Sequence, residues 1–158
     1  MLYKRDDAVK LIGDVTVAAY DQHGNRKAFY NGQNLITDAG KYGIASRING
    51  ASGETVFTYI AVGESTASAT VGDTQLGNEI TGADLARVVG TATLQTTTVT
   101  DDTAQLATTF NVTGSYGVTE AGILNASSNG TLLGRRVFSA VNVLSGDTLQ
   151  IIYKIIAA

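Results

Sequence analysis

The stretch Thr148-Leu149-Gln150-Ile151-Ile152-Tyr153-Lys154-Ile155-Ile156 decides the fold class of this chain. In an extended strand side chains alternate between faces, which puts Leu149, Ile151, Tyr153 and Ile155 on one side. The other side carries Gln150 and Lys154, but also Ile152 and Ile156. A strand that is apolar on both faces is either central between two layers or covers its second face with another subunit, because monomers rarely leave extended apolar surface in water. The central strand is the plainer reading; under the other, Ile152 and Ile156 are subunit-interface residues.

Upstream of this strand the same period continues. Arg87 to Thr98, Ala104 to Val112, Val118 to Asn125 and Thr131 to Phe138 all read as strands. Asp101-Asp102, Gly114-Ser115, Asn129-Gly130 and Gly146-Asp147 separate them at the spacing of consecutive antiparallel strands, and Asn129-Gly130 is a strong type I′ turn signal. At the N-terminal side, Val9 to Tyr20 places Leu11, Gly13, Val15, Val17 and Ala19 on one face. The turn Asp21-Gln22-His23-Gly24-Asn25 then returns the chain through Arg26 to Tyr30, giving a hairpin over residues 9–30. Thr58 to Val62 is a further short strand.

Between the hairpin and that strand lies one helix. Thr37 or Asp38 can cap it, Tyr42, Ile44, Ala45 and Ile48 supply a helical apolar pattern, and Asn49-Gly50 stops it. Gly40 and Gly43 inside it cost about 1 kcal/mol each relative to alanine, so close backbone approach at those two positions is expected. Residues 64–72 read as an exposed, mobile loop of small residues. Asp73 or Thr74 is expected to cap a single helical turn carrying Leu76 and Ile80. The chain therefore reads as one domain over residues 1–158, mainly β: an antiparallel β-sandwich, meander or Greek key, with one or two short helices. Residues 1–8 form a candidate extended N-terminal arm.

Composition narrows the function. The chain has 158 residues, enough for one domain that buries roughly 70% of its unfolded surface. Charged residues are only 16% and the net charge is −3, with no dense basic run to neutralise phosphates, so nucleic acid is not an expected partner. Cysteine is absent, which removes disulfides and thiolate chemistry together. No apolar run approaches the ~20 residues that cross a bilayer, and Met1-Leu2-Tyr3-Lys4-Arg5-Asp6-Asp7 has no apolar signal core, so no membrane partner is expected.

Candidate chemistry is sparse. His23, the single histidine, sits in a Gly and Asn turn with no nucleophile or carboxylate arranged beside it in sequence, and reads as an exposed turn residue. Asp6-Asp7 and Asp101-Asp102 are too few oxygens for calcium, which takes six to eight, and read as turn carboxylates accepting backbone hydrogen bonds. Glu120, between Thr119 and Ala121 in an apolar strand, reads as a partly buried carboxylate in a structural ion pair. Arg87, Arg135 and Arg136 are its candidate partners, with Arg135 placed first. Asn111-Val112-Thr113, Asn125-Ala126-Ser127 and Asn129-Gly130-Thr131 fit a glycosylation pattern but read as strand-end and turn residues. The threonines of Thr91 to Thr100 fit an ordinary strand, where a branched Cβ is favoured. No phosphate-cradling glycine spacing is present, no cofactor or metal is expected, and no enzyme activity.

Five motifs follow in one order: Asn34-Leu35-Ile36-Thr37-Asp38-Ala39-Gly40, Tyr59-Ile60-Ala61-Val62-Gly63, Asp73-Thr74-Gln75-Leu76-Gly77-Asn78-Glu79-Ile80, Val118-Thr119-Glu120-Ala121-Gly122-Ile123-Leu124 and Gly130-Thr131-Leu132-Leu133. The set, spanning about residues 34 to 156, resembles the N-terminal attachment domain of tailed-bacteriophage tail-collar fibre proteins. Two departures accompany it: the chain ends at Ala158 where such fibres continue into a shaft and receptor-binding tip, and it carries an extra hairpin at 9–30 with the charged arm Lys4-Arg5-Asp6-Asp7. The resemblance implies a virion structural protein, made in the host cytoplasm. Such a subunit would bind other phage virion proteins, major capsid or tail and baseplate subunits, as a capsid decoration protein or a tail adaptor. A homo-oligomer is expected, with Tyr3, Lys4 and Arg5 joining Ile152 and Ile156 as candidate subunit-interface residues. The alternative is a carbohydrate-binding β-sandwich module using exposed rings such as Tyr42 or Tyr116.

Overall fold

A computed structural model describes residues 8–82 and 84–158. In chain order the elements are β1 (Leu11–Tyr20), β2 (Arg26–Ile36), α1 (Asp38–Asn49), β3 (Tyr59–Gly63), β4 (Val88–Val89), β5 (Thr91–Gln95), β6 (Thr103–Asn111), β7 (Tyr116–Leu124), β8 (Leu132–Val143) and β9 (Thr148–Ala157). The strands follow the order β4-β3-β7-β8-β2-β1-β9-β6-β5, with every neighbour antiparallel. The fold is mainly β, as its alternating apolar pattern predicts.

Two curved layers arise because β2 changes partners along its length. From Arg26 to Asn34 it pairs with β1, while Leu35 and Ile36 pair with Arg135 and Gly134 of β8. One layer is β2-β1-β9-β6-β5 and the other β4-β3-β7-β8. The outermost strands β4 and β5 are consecutive in the chain, separated only by Gly90, so the sheet nearly closes on itself. Gly90 is required at this corner: a Cβ there would sit 2.7 Å from Leu106 Cγ. That glycine splits the continuous strand expected over Arg87 to Thr98 into β4 and β5.

The core lies between the layers. Val15, Val17 and Ala19 of β1, Leu149, Ile151 and Tyr153 of β9, and Leu106 and Phe110 of β6 face Ile60, Val62, Val118, Ile123, Val141 and Val143 from the other layer. Each fully buried aliphatic of this kind contributes about 1.5–3 kcal/mol. β9 is central within its layer, flanked by β1 and β6, but among the described residues no second layer covers its outer face, where Ile152 and Ile156 stand half-buried. The meander alternative does not occur. β8 and β9 are consecutive yet lie in different layers, and β9 returns beside β6, the return typical of a Greek key.

The helix forms where its caps predict. The Thr37 hydroxyl accepts from the Gly40 amide at 2.9 Å, and Gly50 closes the last turn with φ 72°, its amide donating to Ser46 O. Its buried face differs from the expected apolar pattern. Gly40, Gly43 and Ser46 point inward, whereas Tyr42 and Ile48 are 56% and 83% exposed. The cause is a very close approach to β8, where Thr37 donates to Leu132 O and Leu133 O and a Cβ on Gly40 would fall on the Leu133 carbonyl. At Gly43 the close neighbour is the Phe57 ring, 2.6 Å from where a Cβ would stand, and Ser46 turns its hydroxyl to Ser52.

The segment after β3 also departs from expectation. No helical turn forms at residues 73–80. Instead the segment lies across the outward face of the β3-β7-β8 layer, where Leu76 packs with Ala61, Leu124 and Leu132 in a second small core. The Gly77 and Asn78 amides that a helix would use internally donate to Glu120 instead. Residues 64–72 are mostly exposed, as expected, and are tied at two points: Asp38 N donates to Val71 O, and Ala67 O accepts from Arg135.

Candidate functional site

β7 and β8 carry two charges on the face turned away from the main core, under the 64–80 segment. Glu120 is fully buried and Arg135 is 3% exposed. Arg135 Nε donates to Glu120 Oε2 at 2.7 Å, and its Nη1 donates to Asp73 Oδ2 at 2.7 Å. Nη2 donates to Ala67 O at 3.1 Å. Glu120 also accepts from the amides of Gly77 at 3.0 Å, Asn78 at 2.7 Å and Ser65 at 3.4 Å. One guanidinium and one carboxylate thus fasten three separate points of an irregular segment to the sheet. Burial works to raise the Asp73 pKa, but the Thr70 amide and Arg135 overcome it and hold the carboxyl below its ordinary value. Burial likewise opposes the Arg135 charge, and Asp73 and Glu120 more than offset it.

The other two candidate arginines are engaged elsewhere. Arg87 grips Glu79 with Nε at 2.9 Å and Nη2 at 2.7 Å, and donates through Nη1 to Ala126 O and Asn129 O. Arg136 Nε donates to Tyr30 Oη at 2.6 Å. Arg87 therefore ties the 64–80 segment to the β7–β8 loop, where Asn129 and Gly130 adopt positive φ of 52° and 76°. In the same loop Asn125 and Thr131 donate to Glu54.

The remaining carboxylates hold turns. Asp84 accepts from the Thr113 amide at 2.8 Å and Tyr116 Oη at 2.8 Å, which lowers its pKa to about 2. The same bond raises the pKa of Tyr116. Asp102 accepts from the amides of Val99, Thr98 and Thr97, which hold it well below the usual carboxylate range. Asp147 pairs with Lys27 at 2.5 Å and accepts from the Leu144 amide. His23 is exposed in its turn, where its amide donates to Asp21. Among the described residues, no group of three or more His, Asp or Glu side chains could hold a metal ion. No described helix is long and apolar enough to cross a membrane.

One large concavity among the described residues is apolar. It opens at the end of the sandwich where β1 starts and β9 finishes, with a volume of about 770 Å³. Leu11, Ile48, Val56 and Leu94 line it and are all more than a third exposed, while Leu106 and Ile155 form its floor. Arg47 and Asp101 stand at its rim. The opposite end of the sandwich is closed by the turns that Asp84 and Asp147 hold. The apolar opening and these carboxylate-held turns thus lie at opposite ends of the strands.

Of the candidate interface residues, Tyr3, Lys4 and Arg5 lie outside the described residues, as does Asp6-Asp7. Ile152 stands between Thr16 and Ala107, and Ile156 between Ile12 and Thr103, both half-buried on the outer face of the five-stranded layer. Neither joins the open end. Asp73 as a third member of the charged latch, and Leu94 and Val56 as groove residues, were not visible in the sequence pattern. Their partners lie 62 residues away for Asp73 and across the sandwich for the others. Compared with known proteins, the chain matches no family model, no curated sequence and no solved structure.

Proposed function

We propose that this chain is a non-enzymatic structural subunit of a tailed-phage virion, located on the head surface or the tail, that binds other virion subunits. The observation that carries the proposal is the apolar open end. Exposed Leu11, Ile48, Val56 and Leu94 surround a groove with few polar groups, a surface suited to another protein rather than to a reacting substrate. Two further features support it. The buried charges are spent on fastening irregular chain to the sheet, and the ordered motifs resemble those of a fibre attachment domain, with Asp73, Glu120 and the 34–40 segment all at structural joints. The carbohydrate-binding alternative draws less support, since Tyr116 spends its hydroxyl on Asp84, and exposed Phe29 and Tyr42 lie on separate elements.

Mass spectrometry of purified particles, combined with cross-linking, tests the reading. The expected result is the chain in stoichiometric amount, cross-linked to capsid or tail subunits. Its absence from particles would refute the proposal, and glycan-array binding abolished by Tyr42→Ala would replace it with the alternative.

A further inference from the structure

β5 ends the strand order, so along one edge alternate N–H and C=O groups point away from β6 with no strand beside them among the described residues. Natural sheets usually guard such an edge with lysine, proline, a bulge or shortness. β4, at the other end of the order, is guarded by having only two residues. β5 has none of these devices. From Val88 to Thr100 the chain carries no charged residue, and proline is absent throughout.

We propose that β5 is a self-pairing edge, to which a second copy of the chain adds its own β5 antiparallel across a two-fold axis at Thr93. The register follows from the strand's length. Five residues pair fully with themselves only when Thr93 faces Thr93, which sets Ala92 opposite Leu94 and Thr91 opposite Gln95. Residues directly opposite share a face. Ala92 and Leu94, which line the groove, would therefore meet their counterparts on the groove side, and the threonines and glutamines would meet on the outer side. No like charges are brought together, as an isologous contact requires of its centre.

The groove completes the interface. A stable contact buries about 1,200–2,000 Å² in total, more than a five-residue edge can supply. Leu94 at 61% exposed, Ile48 at 83% and Val56 at 52% surround the same opening and would be covered by the second copy. Two five-stranded layers would become one ten-stranded layer, with the two openings side by side across the shared edge and directed oppositely along the antiparallel strands. This pairing presumes the assembling role proposed above, and its test is independent of any particle.

The chain lacks cysteine, so single introduced thiols report register cleanly. Light scattering after size exclusion is expected to give the mass of two chains at micromolar concentration. Thr93→Lys, on an exposed side chain, should return it to one chain with an unchanged circular dichroism spectrum, and Thr93→Ser should leave the pair intact. Under oxidation T93C should cross-link at least about tenfold faster than T91C or Q95C, because only position 93 faces itself, at the ~5 Å Cβ spacing of opposed residues. A T91C and Q95C mixture should cross-link to each other. A single-chain mass throughout the micromolar range, a pair that T93K leaves intact, or equal cross-linking from all three positions would overturn the pairing. A chain that is monomeric yet present in particles refutes the pairing alone; one that pairs yet is missing from particles refutes the virion reading alone.

Discussion

Replacing Glu120 by alanine should release the 64–80 segment while leaving the sandwich folded. Glu120 is fully buried and Arg135 is 3% exposed, so the substitution strands a guanidinium and removes the acceptor for the Gly77, Asn78 and Ser65 amides. Breaking a buried pair by deleting one partner costs about 3–5 kcal/mol. Arg135 keeps Asp73 and Ala67 O, which argues for the lower end, about 3 kcal/mol. For a domain near this size that corresponds to a melting temperature lowered by roughly 6–12 °C. Urea and thermal unfolding followed by circular dichroism at pH 7 measure the global cost. Amide hydrogen exchange measures the local one: Gly77 and Asn78 should lose protection while Val118 and Ile123 keep theirs. Glu120→Gln, which retains an oxygen for the amides without the charge, should fall between. A loss under about 1 kcal/mol, the usual ceiling for an exposed pair, with unchanged exchange at Gly77 and Asn78, would refute the latch.

Three further outcomes follow from the packing and the titrations. Gly40→Ala should destabilise by about 1–3 kcal/mol in urea titrations despite alanine's better helix propensity, because its Cβ meets the Leu133 backbone; a gain of about 1 kcal/mol would contradict this contact. Asp84, held at about 2, and Asp21, Asp73, Asp102 and Asp147, also lowered in the folded chain, contribute stability present above their unfolded value near 3.8 and lost as pH falls through their folded values. Melting temperature should thus be level from pH 7 to about 5 and fall below about 4, with Asp84→Asn weakening the acid dependence; a level profile down to pH 2 would refute it. Tyr153 is wholly buried with no hydrogen-bond partner for its hydroxyl among the described residues, so Tyr153→Phe should be neutral or stabilise by up to about 1–3 kcal/mol in thermal melts. Burial lifts the Tyr153 pKa well above 10, so its stabilising share is present below pH 10 and disappears as pH rises further, a loss the phenylalanine variant should not show.

What the sequence made legible was whatever two neighbouring residues can signal. Val15, Val17 and Ala19 alternate cleanly because β1 buries one face, and Thr37 and Gly50 mark the helix because capping is local. Glu120 was conspicuous as a charge in an apolar strand, and the structure places Arg135 beside it. Features that depend on distant chain were not legible. The glycines of α1 signal a close approach, which Gly40 makes to the Leu133 backbone and Gly43 to the Phe57 ring, but nothing within the helix names those partners or shows that Tyr42 and Ile48 would face outward. The 73–80 segment has the capping residues of a helical turn, yet Gly77 and Asn78 find a carboxylate 43 and 42 residues away that outcompetes it. Gly90 looked like one more residue in a strand, while its real position is the corner where the sheet turns back on itself.

The contrast between the two terminal strands bears most directly on assembly. An edge costs a protein nothing if a neighbour always covers it, and it invites irregular association if no neighbour does. β4 is too short to template anything. β5 and the following Thr96-Thr97-Thr98-Val99-Thr100 combine β-branched side chains, no charge and no proline, the composition of an aggregating segment. A chain that folded only as a monomer would gain solubility from one lysine at Thr91 or Thr93, where the side chains are exposed and make no contact the core needs. The same lysine in a self-pairing chain would cost the dimer. Solubility and mass measured together on Thr93→Lys therefore separate the two cases: a more soluble variant derived from a monomeric parent means the edge is merely unguarded, whereas a dimeric parent that the lysine splits means the edge is an interface.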